Sequence, residues 1–131
     1  MILENIMRIV IDTNAFVRFF TDDNPQKADL VEKLLKEGKD IFIPDVVFPE
    51  LEYILVQRYN FSRKKLLDIF TFLTSRNNIS LTKETREAII IFRNSKLDMA
   101  DCIIAAYSMK GSLASFDREL LDIKGVNQFW R

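Results

Sequence analysis

The amino-acid sequence predicts an α/β fold, a three-layer α/β/α sandwich around a mainly parallel central sheet. Three observations carry that expectation. Short apolar runs end on acids: Arg8–Ile11 stops at Asp12, and Ser112–Phe116 stops at Asp117. Between such runs lie amphipathic stretches with N-terminal caps, at Asn24, Ser62, Thr82 and Asp98. A chain of 131 residues, 48% of them hydrophobic, suffices for one core and is read as a single domain spanning 1–131.

In chain order, Arg8–Ile11 is the first strand, bounded by Asp12-Thr13-Asn14. Asn24-Pro25 reads as N-cap and first helical residue. The helix they open runs to about residue 37, with Ala28, Leu30, Val31, Leu34 and Leu35 as its apolar stripe and Gly38 as its end. Ile41–Ile43 is a short strand cut by Pro44, and a helix follows to about Arg58. Pro49 lies near that helix's start, so either the helix begins there or its first turn is irregular. Ser62 caps a helix to about Ser75, Ile79–Leu81 is a brief strand, and Thr82 caps a helix through about Phe92. Asp98 opens a helix from Met99 to about Lys110, with Gly111 expected at C′. Ser112–Phe116 is a strand, Asp117 starts a helical turn, and Val126–Phe129 is the last strand. The eleven phenylalanines are assigned to the core, and Trp130 to an edge or an oligomer contact.

Absences narrow the chemistry. There is no histidine, which removes Ser-His-Asp and Cys-His machinery and His-ligated zinc or haem. Cys102 is the only cysteine, so no internal disulfide can form and a reducing cytoplasm is the expected location. Glycines occur only at 38, 111 and 125, spacings that spell neither a P-loop nor a dinucleotide fingerprint. No apolar run approaches the roughly 20 residues that cross a bilayer, and the first residues lack the pattern of a signal peptide.

Net charge is zero but uneven. Residues 57–96 hold nine Lys/Arg against three acids, a net of +6, and the rest of the chain is correspondingly acidic. Arg58, Arg63, Lys64 and Lys65 are candidate contacts to a polyanion backbone; the alternative is ordinary solvated helix surface.

Acids at strand ends and helix starts suggest a hard-cation site. In parallel α/β sheets function collects outside the carboxyl ends of the strands, near a reversal of strand order. Asp12 and Asp117 follow strands, while Glu50 and Asp101 fall in first turns of helices. Each also has a structural reading. Asp12 and Asp117 are good helix caps. Glu52 competes with Glu50 for an inward face. Asp98 is three residues before Asp101, which is cap spacing. Asp101 leads into the apolar run Cys102–Ala106, where a carboxylate needs a partner that a metal would supply.

The same residues resemble a known family. Ile9-Val10-Ile11-Asp12-Thr13-Asn14 resembles the opening strand of PIN-domain nucleases, and Val46-Val47-Phe48-Pro49-Glu50-Leu51 their second acidic position. Leu97-Asp98-Met99-Ala100-Asp101-Cys102 is similar to the third, and Ser115-Phe116-Asp117-Arg118-Glu119-Leu120 to the terminal element. In size the chain resembles the VapC toxins of toxin–antitoxin pairs. The resemblance implies an acidic quartet of Asp12, Glu50, Asp101 and Asp117, supported by Asn14 and Ser115. It implies a magnesium- or manganese-dependent endoribonuclease, commonly a homodimer, held in check by a small antitoxin protein. Met7 would then be an alternative start.

Two other classes compete. A non-catalytic module could use the same fold to hold RNA or a protein, and would not respond to Mg²⁺; a housekeeping PIN nuclease would lack the antitoxin. A phosphotransfer domain with Asp12 as nucleophile would want a second acid where Asn14 stands.

Overall fold

The structure, a computed structural model, describes residues 7–131. The reading of residues 1–6, and with it the choice between Met1 and Met7 as start, lies outside the described residues. The chain divides into two compact units, Met1–Leu81 and Thr82–Arg131.

The first unit holds three strands, β1 (Ile9–Val10), β2 (Ile41–Phe42) and β3 (Ile79–Ser80), all parallel and in the spatial order β1-β2-β3. Each crossover is helical, as parallel pairing demands. Helices α1 (Thr13–Thr21) and α2 (Pro25–Glu37) link β1 to β2, and α3 (Val47–Tyr59) and α4 (Arg63–Ser75) link β2 to β3. The expected reversal of strand order is absent among the described strands. Asp12 nevertheless follows the carboxyl end of β1, where α1 begins.

Of helix α1 the sequence anticipates the cap at Asp12 but not the extent of the helix. Its phenylalanine-rich run, Thr13–Thr21, carries an apolar face that buries Phe16 and Val17, so packing decides its conformation. Helix α2 starts as expected: Asn24 accepts a hydrogen bond from the Lys27 N–H, and Pro25 occupies the first turn, where no N–H is needed. Its stripe is narrower than expected. Ala28, Val31 and Leu35 are buried, but Leu30 is exposed.

Pro49 is harmless for a specific reason. The first i to i−4 bond of α3 is donated by Glu50 to the Val46 carbonyl, so Pro49 sits where a missing donor costs nothing. The turn before it is tight, with Val47 and Phe48 donating to the carbonyls of Pro44 and Asp45. The core gathers Phe16, Phe48, Phe70, Ile41, Ile43 and Leu51, all fully buried. Strand β1 lies at the sheet edge, with Ile9 and Val10 exposed, whereas Ile11 and Thr13 turn inward.

The second unit contains α5 (Lys83–Arg93), α6 (Met99–Ser108) and the single turn α7 (Arg118–Leu121). Caps predicted at Thr82, Asp98 and Asp117 are all formed. The end of α6 differs from expectation. It closes at Met109 in ordinary helical conformation, and Gly111 donates to the Ser108 carbonyl without the left-handed C′ geometry. The two late strands shrink to one parallel bridge between Leu113 and Gln128, because Ser115 and Asp117 bond locally instead of extending the ladder. Phe116 and Phe129 are exposed and do not join the core, contrary to their sequence assignment.

Candidate functional site

In the first unit the site residues converge around the end of β1. Asp12 caps α1, its Oδ1 accepting from the Ala15 N–H at 3.2 Å. Thr13, buried at 8% exposure, donates its hydroxyl to Glu50 Oε1 at 2.5 Å. That bond ties the start of α1 to the first turn of α3 and turns Glu50, rather than Glu52, toward the cavity beside β1. Asp12, Thr13, Asn14 and Glu50 line one open cavity of about 670 Å³, walled by apolar side chains that include Val10 and Tyr53. Thr13 is the residue that sequence reasoning passes over. Its signal was its place between two polar neighbours, on the inward side of a strand end.

In the second unit, Asp98 is the N-cap of α6, its Oδ1 accepting from the Asp101 N–H at 2.9 Å. This is the cap that the spacing of Asp98 and Asp101 predicts. Asp117 Oδ1 accepts from the N–H groups of Glu119 and Leu120, at 3.0 and 3.3 Å. The Ser115 hydroxyl accepts from the Asp117 N–H at 3.0 Å, which fixes the entry to the cap. Asp101 is half-buried. Burial first, and then the charges of Asp98, Asp117 and Glu119, push its carboxyl above the ordinary value. Glu119 is a member of this acidic group that the sequence does not single out.

The donor set suits a hard divalent cation. All candidate ligands are oxygens, and the charges of Asp98, Asp117 and Glu119 add to burial in raising the Asp101 carboxyl. Magnesium prefers such a setting, with one or two carboxylates and retained waters. Within neither unit, among the described residues, do three carboxylates gather closely enough to hold a metal alone.

The basic segment is partly committed to local structure. Arg76 donates to the Leu35 carbonyl at 2.7 Å, and its guanidinium lies over Phe72. Lys64 pairs with Asp68 at 3.6 Å, and the Lys65 ammonium sits 4.0 Å over the Phe61 ring. Arg58 is exposed in the last turn of α3, and Arg63 opens α4.

A small parallel sheet wrapped by helices, with acids at the end of β1 and at the starts of α3, α6 and α7, describes a class of α/β domain that presents carboxylates from helix and strand termini. The chain belongs to the PIN-domain family, whose pattern it matches over residues 9–126, across both units. It is similar to a VapC ribonuclease of Aquifex aeolicus, with 24% identity over 131 aligned residues that cover 92% of this chain and 96% of that protein. No helix among the described residues is long and apolar enough to cross a membrane.

Proposed function

We propose that this chain is a magnesium- or manganese-dependent endoribonuclease, the toxin of a toxin–antitoxin pair, in which 1–131 act as one nuclease domain. The observation that carries the reading is the match to the PIN family over residues 9–126, in which Asp101 stands half-buried with its carboxyl raised by burial and by the charges of Asp98, Asp117 and Glu119. Such a carboxylate awaits a cation. The similarity to a VapC ribonuclease supports RNA as the substrate.

Asp12, Glu50, Asp101 and Asp117 would hold the metal. A bound divalent cation supplies Lewis acidity, polarising a phosphoryl oxygen and lowering the pKa of a water so that no histidine base is required. The chain's own residues prepare that chemistry. Thr13 holds Glu50 in one rotamer by donating to Oε1. Ser115 and the α7 amides hold Asp117, and the cap at Asp98 fixes the turn that carries Asp101. Asn14, beside Asp12, would orient the substrate or a water. Arg58, Arg63, Lys64 and Lys65 would follow the RNA backbone.

The partners proposed are a second copy of the chain and a small antitoxin in the cytoplasm. An arginine from the antitoxin would satisfy the carboxylates in the metal's place, since a guanidinium fork matches carboxylate geometry. The test is incubation with total cellular RNA in Mg²⁺ or in EDTA, read by mapping new 5′ ends. Discrete ends that appear only with Mg²⁺ support the reading. Binding of RNA without cleavage would instead make the chain a non-catalytic module, and cleavage with no growth defect on expression alone would make it a housekeeping nuclease.

A further inference from the structure

The exposed aromatics at the end of the second unit stand out against the rest of the surface. Phe116 is 88% exposed, yet its ring is stacked on that of Trp130, with centroids 4.7 Å apart and planes within 5°. Phe129 meets the same indole edge-on at 5.6 Å and is itself exposed. Two large rings aligned in parallel outside the core are a costly use of apolar surface. A solitary exposed ring would be ordinary; a parallel pair presents a rigid, flat face.

Three features say what that face fits. Phe116 directly precedes Asp117, so their Cα atoms are about 3.8 Å apart and the platform begins one residue from a proposed ligand. The segment that brings Trp130 also lines a cavity of about 380 Å³ with the amides Asn127 and Gln128 and with Arg131, groups that pair with base edges and phosphates. Residues 123–131 carry Lys124 and Arg131 and no acid, the charge balance that a polyanion requires.

We infer that the Phe116–Trp130 stack is a nucleobase platform, on which an unpaired base of single-stranded RNA extends the aromatic stack beside Asp117. The inference rests on the ribonuclease reading for its ligand class but not on cleavage. Base stacking on protein aromatics tolerates any base and needs no metal. The platform would therefore select unpaired RNA over duplex, because a paired base cannot leave its own stack to join the rings.

Trp130 is the only tryptophan, so its fluorescence reports on this stack alone. The experiment titrates the full chain, in EDTA, with a ten-nucleotide oligoadenylate RNA, with an RNA duplex of equal length, and with heparin as a polyanion without bases. Saturable quenching by the oligoadenylate, weaker by the duplex and absent with heparin, is expected. Phe116→Ala should weaken oligoadenylate binding by about tenfold, and Phe116→Tyr should restore it. The exposure of Phe116 makes either variant tolerable to the fold, and circular dichroism checks that. Equal quenching by heparin, or unchanged oligoadenylate affinity in Phe116→Ala, overturns the platform. So does a Phe116→Ala variant that binds RNA normally but loses self-association, which would assign the rings to a protein contact. Cleavage assayed separately in Mg²⁺ keeps the two readings apart. A wild type that cuts RNA while Phe116→Ala binds and cuts equally well loses only the platform. A wild type that never cuts but is quenched through Phe116 loses only the nuclease.

Discussion

The Thr13 hydroxyl donates to Glu50 Oε1 at 2.5 Å, across 37 positions of sequence. This bond joins the N-terminus of α1 to that of α3, the two helix starts that line the cavity beside β1. It converts a long, exposed glutamate into a positioned one. Thr13→Val keeps the side-chain shape and removes the donor, so folding should lose about 1 kcal/mol, the typical worth of such a bond. If Glu50 acts in the reaction, cleavage should fall much more than stability does, by about tenfold or more. Chemical denaturation and initial rates on one RNA substrate measure the two. Equal activity in Thr13→Val would place Glu50 outside the reacting site.

Asp101 should make the fold pH-dependent in an unusual sense. Its carboxyl is raised above the ordinary 3.8, by burial first and then by Asp98, Asp117 and Glu119. The native chain therefore binds that proton more tightly than the unfolded chain does. Stability falls as pH rises from the ordinary carboxyl value through the raised one, and the penalty is full above it. Asp23 acts in the opposite sense. The Tyr59 hydroxyl, bonded at 2.7 Å, lowers its carboxyl despite burial, and Arg18 adds to the effect. Its contribution is present above the ordinary carboxyl range and lost as pH falls through the lowered value. Asp101→Asn should thus raise the melting temperature in EDTA at neutral pH, with the gain shrinking in acid. A lower melting temperature at neutral pH would mean that the charge is already satisfied in the native chain.

Asp98 serves as a cap, and its substitutions should separate that role from catalysis. Asparagine caps a helix about as well as aspartate, so Asp98→Asn should leave stability nearly unchanged. Asp98→Ala should cost about 1 kcal/mol, by exposing the Asp101 N–H that Oδ1 now accepts from. Loss of all cleavage in a stable Asp98→Asn variant would show that Asp98 is a ligand as well as a cap.

The basic segment should not behave as one surface. Arg76 is bound to the Leu35 carbonyl and Phe72, so its loss should show as reduced stability. Lys64 and Lys65 make only a surface ion pair and a contact over Phe61, interactions of small worth that RNA can replace. Reversing both charges should weaken RNA binding and reduce the slope of log affinity against log salt by about 1.4, at roughly 0.7 per phosphate for a single strand. An unchanged slope would leave them as solvated surface.

Much of this arrangement was legible in the sequence because it is written in local chemistry. Caps at Asn24, Ser62, Thr82, Asp98 and Asp117 fall where the polar residue before an apolar stretch predicts them. For helix α1 only the cap at Asp12 was legible, since the aromatic-rich run that follows has no strong helical preference and forms by burying Phe16 and Val17. The late strands were over-read. Ser112–Phe116 has strand-like composition, but Ser115 and Asp117 draw the backbone into a turn and only the Leu113–Gln128 bridge remains. The individual acids could be named from strand ends and helix starts. Thr13 was visible only as the middle of the Asp12-Thr13-Asn14 triplet, and Glu119 not at all, because their importance lies in contacts with Glu50 and Asp101 that no spacing announces.

The most direct test of the central claim is cleavage of one end-labelled RNA by the wild type, Asp12→Asn and Asp101→Asn, each in Mg²⁺, in Mn²⁺ and in EDTA. The account predicts discrete cleavage by the wild type with either metal, none in EDTA, and none by either variant although both stay folded. Cleavage by the wild type in EDTA, or by Asp101→Asn at the wild-type rate, would contradict it.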